Sequence, residues 1–297
     1  MSTDESAYQA LIATDSDGDA RWAFGTGFHD PLAGIDTSVP DGIDGDDLSG
    51  YCQMLGDDAL VMSHRFTEWC THAPELEAEL ALANIALDLL GQARMLLARA
   101  GHADGTGRDE DQLAFFRADH EFRNVRLAEV DNGDFAHTMV RLLVFSTWRL
   151  ALCTGLRDSA DPVLAAIAAK AVNELRYHRD YAAGWVVRLG DGTDESRRRM
   201  RAGLEAVWPL VDELFAAHAV ERRLAEAGVA VDPADLRDAF DEVVGTVLEA
   251  ARLDVPDVAP LAMVSGRGGR DGAHTEAMGY LVAELQSVAR QHPEATW

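Results

Sequence analysis

Apolar residues recur every three or four positions over most of the chain from Leu48 onward, which is the spacing of amphipathic helices. No stretch alternates apolar and polar residues over enough positions to predict a sheet. The predicted fold class is therefore all-α. The predicted helices cover, in chain order, 55–70, a segment from Pro74 to about Gly101, a segment that begins after Asp134, a segment from Pro162 to the Gly-Asp-Gly turn at 190–192, and three or four more helices within 193–252 and 275–291.

Short connections between the long helices predict two antiparallel hairpins. The first hairpin turns at 72–74 and brings Asp58 level with Asp88, because both residues lie about 15 positions from the turn. The second hairpin turns at 157–161. Two hairpins joined by one long crossover, here 101–134, make a ferritin-like four-helix bundle. The helices that follow are then additional C-terminal elements.

The first 47 residues differ from the rest of the chain in composition. They hold eleven acids, one base and six glycines, and low hydrophobicity with high net charge predicts a mobile arm. We therefore divide the chain into an acidic N-terminal arm, 1–47, and a ferritin-like helical domain, 48–297. The Asp-Ser-Asp-Gly-Asp run from Asp15 resembles the start of a calcium loop, but Thr26 stands where the twelfth-position Glu belongs.

Charge is strongly unbalanced, with 51 Asp and Glu against 26 Lys and Arg and a formal net charge of −25. Lys170 is the single lysine. Such an excess repels phosphate backbones and anionic bilayers, so neither nucleic acid nor a membrane is expected as a partner. It favours a salt-rich cytoplasm, because the Debye length falls to roughly 3 Å at about 1 M salt. A GC-rich genome would explain why arginine is used in place of lysine, but it would not explain the excess of acidic residues.

Cysteine usage and apolar run length indicate a cytoplasmic location. Cys52, Cys70 and Cys153 lie far apart with no Cys-x-x-Cys pair, so neither a disulfide framework nor a thiolate zinc site is predicted. We expect all three to be small buried residues in a reducing compartment. No charge-free stretch approaches the ~20 apolar residues of a membrane span, and the N-terminus does not have the pattern of a signal peptide.

The ligand pattern of a di-iron bundle is absent. Such centres take a Glu from each of two helices and Glu-x-x-His from each of the other two, and the sequence contains no Glu-x-x-His. The second helix has Gly91 where the imidazole belongs, and on the fourth helix His178 stands one position late after Glu174. No acid occurs between Phe135 and Arg157 on the third helix. No metal is expected in this chain.

Several polar residues nevertheless fall at or near the ligand positions, and two interpretations stay open. They form a buried hydrogen-bonded remnant of a di-iron site, or they have ordinary roles in single helices. In the second case Glu174 and His178 are an i,i+4 pair, Asp57 and Asp58 serve the first turn of a helix, and Asp88 pairs with an arginine. The candidate remnant residues are Asp57, Asp58, Asp88, Gln92, Glu174, Tyr177 and His178.

Long stretches of the chain resemble the phenylacetyl-CoA epoxidase family, and within it the ferritin-like C subunit that accompanies a catalytic di-iron subunit. The resemblance spans most of 48–297 and implies a non-catalytic, metal-free subunit of a multicomponent monooxygenase. It implies as partners the catalytic subunit, which holds the di-iron centre, further epoxidase subunits, and a reductase with FAD, an iron–sulfur centre and NADPH. The segments that carry the resemblance are LGDDALVMSHRFTEWCTHAPELE (55–77), LALANIALDLLGQARMLL (80–97), 109–141, AAIAAKAVNELRYHRDYAAGWVVRLGDGT (165–193) and GAHTE (272–276).

The glycine-rich loop before the last helix is a second candidate site. Backbone amides of a glycine-rich loop together with guanidinium groups can hold an anion, so the loop is a candidate contact for a CoA phosphate. Contact with another subunit and a plain connecting role stay open. The residues concerned are Arg267, Gly268, Gly269, Arg270, His274 and Thr275.

Two other functions compete with a structural subunit of the epoxidase. A self-sufficient di-iron oxygenase would need carboxylates on the third bundle helix. An unrelated helical scaffold would need no partner enzyme.

Overall fold

The computed structural model describes residue 32 and residues 34–295. The chain divides into one unit that ends at Gly34 and a helical unit that begins at Ile35. Residues 35–47, which the sequence analysis placed in the arm, therefore belong to the helical unit. The expectations for the remainder of the arm, including the run from Asp15, lie outside the described residues.

Ten α-helices and five short 3₁₀ segments make up the described part of the helical unit, where Val264 and Arg267 form only an isolated β-bridge. This confirms the all-α fold class. The α-helices are α1 (Gly45–Thr67), α2 (Leu76–Ala103), α3 (Glu110–Phe115), α4 (Arg126–Glu129), α5 (Phe135–Leu156), α6 (Pro162–Gly190), α7 (Asp194–Val207), α8 (Ala219–Glu226), α9 (Arg237–Ala250) and α10 (Glu276–Gln291).

Two antiparallel hairpins, α1–α2 and α5–α6, form the predicted ferritin-like bundle, and α2 also packs on α6. The long crossover between them contains α3 and α4. Helix α7 packs on α5, α9 packs on α5 and α6, α8 packs on α1, and α10 packs on α3 and α4. The C-terminal helices thus surround the bundle rather than form a second domain.

Helix α1 begins ten residues earlier than predicted, at Gly45 instead of Leu55. The Asp44 carboxylate caps it by accepting hydrogen bonds from the amides of Asp46 and Asp47, at 2.9 and 3.1 Å. An aspartate in this position satisfies amide groups that have no partner within the helix. Because of the earlier start, Asp57 and Asp58 lie in the middle of α1, and the suggestion that they serve its first turn is wrong.

The other long helices begin close to the predicted positions for the expected reasons. Asp134 caps α5 by accepting from the His137 amide at 2.9 Å, and Asp161 caps α6 ahead of Pro162 by accepting from the Leu164 amide at 2.7 Å. Helix α5 is apolar and almost wholly buried. Its interior residues include Leu142, Leu143, Val144, Phe145 and Trp148, each at most 1% exposed.

Within residues 34–295, two helices, α2 and α5, are long and apolar enough to span a membrane by length and composition alone. In α5 the most apolar stretch is 83% buried inside the protein, as expected for the core helix of a bundle. In α2 the corresponding share is 50%. The apolar character of α5 is therefore explained by the fold, whereas that of α2 is explained only in part.

Candidate functional site

Polar side chains between α2 and α6 form a short hydrogen-bonded chain inside the bundle. Gln92 donates through Nε2 to Glu174 Oε2 at 3.0 Å and accepts at Oε1 from Arg149 Nε of α5, also at 3.0 Å. The Lys170 ammonium lies 3.2 Å from the other oxygen of Glu174. Gln92 and Arg149 are buried. The Lys170 ammonium thus supplies the positive charge next to the Glu174 carboxylate, and the Arg149 guanidinium is connected to it through Gln92.

A second pair lies one helical turn away on the same two helices. His178 Nε2 is 3.0 Å from Asp88 Oδ2. His178 is therefore paired with Asp88 and not with Glu174, and Asp88 is paired with a histidine and not with an arginine, in contrast to the pairs considered from sequence. His178 is 1% exposed, whereas Tyr177 is 51% exposed and stacks on Tyr181 at a ring distance of 6.3 Å. We call Asp88, Gln92, Arg149, Lys170, Glu174 and His178 the α2–α6 cluster.

Asp57 and Asp58 make their hydrogen bonds elsewhere, to the crossover and the C-terminal loop. Asp57 forms an ion pair with Arg117 and accepts from the Arg123 amide at 2.8 Å. The Asp58 carboxylate accepts hydrogen bonds from both Arg270 Nη atoms, at 3.0 and 2.9 Å, and from the Val125 amide at 2.8 Å. Both aspartates have 0% exposure. Their positions therefore tie the middle of α1 to segments 60 to 212 residues away in sequence.

Two more buried carboxylates continue this arrangement and were not singled out from sequence. Glu129 accepts from the Asn124 side chain at 2.8 Å and lies 2.6 Å from His274 Nδ1. Glu213 accepts from Arg126 Nε at 2.7 Å and from the Gly269 amide at 2.8 Å. We call Asp57, Asp58, Glu129 and Glu213 the α1 carboxylate cluster. Charged hydrogen bonds of this kind are the strongest that side chains make.

Burial and hydrogen bonding act in opposite directions on His274. Burial lowers the pKa of its imidazole, but the hydrogen bond to Glu129, the charge of that carboxylate and the Phe122 carbonyl raise it, and the net pKa lies above the ordinary histidine value. The positively charged form is therefore favoured in the fold. Because the pKa of His274 is raised in the fold, its protonation stabilises the folded chain.

Most donors of the glycine-rich loop are already used inside the molecule. The Arg270 guanidinium is occupied by Asp58, and the Gly268 amide donates to Asp271 at 3.1 Å. The Gly269 amide serves Glu213, and the Thr275 amide donates to Glu129. Gly269 fits only without a side chain, since a Cβ would lie 2.1 Å from the Asn124 carbonyl oxygen. The loop thus binds anions that belong to the chain itself.

Arg267 is the exposed arginine of this loop, and it borders an open groove of about 500 Å³. Arg123 and His218 also line the groove, but so do several acids, which would oppose an incoming phosphate. These acids are Asp46, Asp104 and Asp271. The contact of this loop with CoA stays a prediction that rests on Arg267 and its groove neighbours.

The donor set between α2 and α6 does not fit a di-iron centre. Within residues 34–295, no three His, Cys, Asp or Glu side chains come together in a metal-binding arrangement. Glu174 is engaged by Gln92 and Lys170, and α5 contributes Arg149 where a ligating carboxylate would be needed. Two iron ions need several carboxylates to balance their charge, and cations fill that space instead.

Comparison with known proteins identifies the family. Residues 40–297 match the model of the phenylacetic acid catabolic protein family. The chain is also 46% identical over 250 residues to the C subunit of 1,2-phenylacetyl-CoA epoxidase from Escherichia coli strain K12, and the aligned region covers 84% of this chain and 99% of that protein. This chain belongs to the phenylacetic acid catabolic protein family. The resemblance stated from sequence is thereby confirmed.

Membership of the phenylacetic acid catabolic protein family covers both hairpins and the C-terminal helices, since the match begins at residue 40. Both clusters lie within the matched range. A further sequence expectation within this range is wrong: Cys52 and Cys153 are buried, but Cys70 is exposed. Cys70 lies in the turn between α1 and α2, where the chain leaves the core.

Proposed function

We propose that this chain is a structural subunit of a 1,2-phenylacetyl-CoA epoxidase, the enzyme that introduces one oxygen atom of O₂ into the aromatic ring of phenylacetyl-CoA. The observation that carries the proposal is the 46% identity to the C subunit of such an enzyme over 99% of its length. Similarity over nearly a whole subunit favours the same position in the same kind of complex.

The side chains of the bundle support a structural role. Glu174 is already paired with Lys170 and Gln92, and Gln92 in turn is bonded to Arg149. Asp57 and Asp58 of α1 are each paired with an arginine within the chain. Removing one partner from a buried ion pair lowers the free energy of unfolding by several kcal/mol. These carboxylates therefore have a structural role through their arginine partners.

The chemistry then belongs to other chains of the complex. A catalytic di-iron subunit supplies oxygen activation, and a reductase with FAD, an iron–sulfur centre and NADPH supplies the two electrons that reduce the second oxygen atom to water. This chain contributes no cofactor. It supports the fold and position of the catalytic subunit, in the cytoplasm.

Co-expression with the catalytic subunit tests this proposal. The two chains are produced together, one of them tagged, and the purified material is assayed for turnover of phenylacetyl-CoA with the reductase and NADPH. We expect stable co-purification, and a loss of soluble, active catalytic subunit when this chain is omitted.

Failure to co-purify, together with normal turnover in the absence of this chain, would contradict the structural role. That result would favour an unrelated helical scaffold. Turnover by this chain and the reductase without the catalytic subunit would instead favour a self-sufficient oxygenase.

A further inference from the structure

The last helix, α10, is attached to the rest of the chain largely through polar contacts. The Gln286 side chain donates to the carbonyls of Ala114 and Arg117, at 3.0 and 2.9 Å. Arg290 Nη2 donates to the same Arg117 carbonyl at 2.8 Å. Four of the sixteen residues of α10 are buried, namely Met278, Leu281, Val282 and Gln286. A helix that buries so few apolar side chains opens locally at a lower free energy than a core helix.

Gly272 lies between the glycine-rich loop and α10 and has the properties of a hinge. Its φ is +74°, a left-handed conformation that favours glycine. A Cβ at this position would lie 2.1 Å from the His120 carbonyl oxygen. Before Gly272 the chain is fixed by Arg270, which is bonded to Asp58. After it, one backbone bond returns to the loop, from the Ala273 amide to a carbonyl at 3.0 Å.

His274 holds the far side of this hinge, and both of its ring nitrogens face acceptors. Nδ1 lies 2.6 Å from Glu129 Oε2, and Nε2 lies 3.0 Å from the Phe122 carbonyl oxygen. The His274 side chain is 6% exposed. A neutral imidazole has one N–H donor, whereas the charged form has two. The charged form of His274 is therefore the form that bonds both acceptors at once.

The groups around His274 favour this charged form. Burial lowers the pKa of the imidazole, but Glu129 of α4, the Phe122 carbonyl and Asp57 of α1 raise it above the ordinary histidine value. The Glu129 carboxylate keeps two other donors, the Asn124 side chain and the Thr275 amide. Loss of the proton from His274 thus removes a donor from this contact while the rest of the Glu129 environment stays in place.

The other charged groups that face α10 keep their charge as the pH rises from neutrality. Arg65 of α1 donates to the Ala277 carbonyl at 3.5 Å, and Asp119 of the crossover lies beside Gly279. His64 of α1 is near an acid of α10, but burial lowers the pKa of His64, so it is already neutral above the ordinary value of about 6.5. His274 is therefore the titrating contact of this helix.

We infer that α10 is a pH-sensitive lid over the crossover, held closed by the protonated His274 side chain and opening about Gly272 when His274 releases its proton to water. In the deprotonated state one ring nitrogen presents a lone pair to the Glu129 carboxylate or to the Phe122 carbonyl, so one of the two hydrogen bonds is lost. Opening exposes the carbonyls of Ala114 and Arg117 at the end of α3. The device belongs to this chain alone and does not depend on the proposed function.

The direction of the pH effect follows from the two states of the lid. The closed lid binds the His274 proton more tightly than the open lid, so low pH favours closure, and closure weakens as the pH rises through the closed-state pKa. Each unit by which the closed-state pKa exceeds the open-state pKa changes the opening constant by about tenfold.

Hydrogen exchange of the full chain between pH 6 and pH 9 tests the inference, with each rate divided by the intrinsic exchange rate at that pH. We expect the protection of 276–291 to fall by about tenfold over this range, while α5 and α7 keep theirs. His274→Gln should abolish this pH dependence and leave α10 weakly protected throughout. The matched control is His72→Gln, a change of an exposed histidine in the turn between α1 and α2, which should behave like wild type.

Nitrogen NMR of the histidine-labelled wild-type chain provides a readout that needs no substitution. We expect both ring nitrogens of His274 to carry a proton at pH 6 and the ring to lose one of them over the range in which α10 loses protection. A neutral His274 ring at pH 6, constant protection of α10, or an unchanged pH dependence in a folded His274→Gln variant would overturn the inference. An equal loss of protection in α5 and α10 would also overturn it, because that result indicates global unfolding and not a lid.

Discussion

The α1 carboxylate cluster and the α2–α6 cluster use acidic residues in different ways. Asp57 and Asp58 have no exposure, and each is held by an arginine and a backbone amide. Glu174 and Asp88 have side chains that are 16% and 37% exposed, and their partners are an amide, a lysine and a histidine. The first cluster connects α1 to segments that are distant in sequence. The second cluster connects the neighbouring helices α2 and α6 near the surface.

This difference shows that acids near the middle of a ferritin-like bundle need not serve a metal. A wholly buried carboxylate with a guanidinium partner is costly to disrupt because the remaining charge is left unpaired. A partly exposed carboxylate keeps contact with water and has less effect on folding. We therefore expect substitutions in the two clusters to differ mainly in their effect on stability.

The largest effect is expected for Asp58→Ala. The change removes both Asp58 contacts of Arg270 and leaves the buried guanidinium with only the more distant Glu221 carboxylate, 3.9 Å away, so the free energy of unfolding should fall by about 3–5 kcal/mol. Urea unfolding followed by circular dichroism measures the change. The double variant Asp58→Leu with Arg270→Met, which removes both charges, should recover a substantial part of this loss. Equal loss in the double variant would mean that packing, and not the ion pair, dominates.

A smaller and pH-dependent effect is expected for His274→Gln. The folded pKa of His274 is raised, so the stabilisation it gives is fully present below the ordinary histidine pKa of about 6.5 and is lost as the pH rises through the folded value. The difference in unfolding free energy between wild type and variant should be about 1.5–3 kcal/mol at acid pH, typical of a charged hydrogen bond, and smaller at pH 9. A difference that grows with pH would contradict the direction of this pKa.

Glu174→Gln should have a still smaller effect on stability. Gln can keep the contact with Gln92 but loses the Lys170 ion pair, so we expect a loss of about 0.5–1.5 kcal/mol in the free energy of unfolding. The turnover of the assembled epoxidase should stay close to that of wild type. A large loss of turnover in a stable, intact complex would show that the α2–α6 cluster takes part in the chemistry.

Salt should have the smallest effect and should act on the surface alone. With a net charge of −25, raising KCl to about 1 M should raise the unfolding midpoint of wild type by screening exposed acids. The difference between wild type and Asp58→Ala should change little, since buried pairs are poorly screened. A midpoint that does not rise with KCl would argue against a salt-adapted protein.

Local signals in the sequence predicted the bundle well. Asp134 before α5 and Asp161-Pro162 before α6 are capping signals that act within one turn, and both predicted the observed helix starts. Asp44 gives the same signal for α1, but the surrounding acids and glycines resembled a mobile arm. Composition was misleading there because Leu48, Tyr51 and Cys52 bury one side of the helix.

The partners of the candidate site residues were not predictable in the same way. Arg270 reaches Asp58 across 212 positions, and nothing in the spacing of either residue indicates the other. The glycine-rich loop was a candidate contact for an anion, and in the structure several of its donors bind carboxylates of the chain itself.

Iron content of the purified chain tests most directly whether its acids serve the fold. The chain is isolated alone, incubated anaerobically with excess iron(II), freed of unbound metal, and analysed by mass spectrometry. We expect far less than one iron per chain, because Asp57 and Asp58 are engaged by Arg117 and Arg270, and Glu174 by Lys170. About two retained irons per chain, the content of a di-iron bundle, would contradict a structural, metal-free subunit.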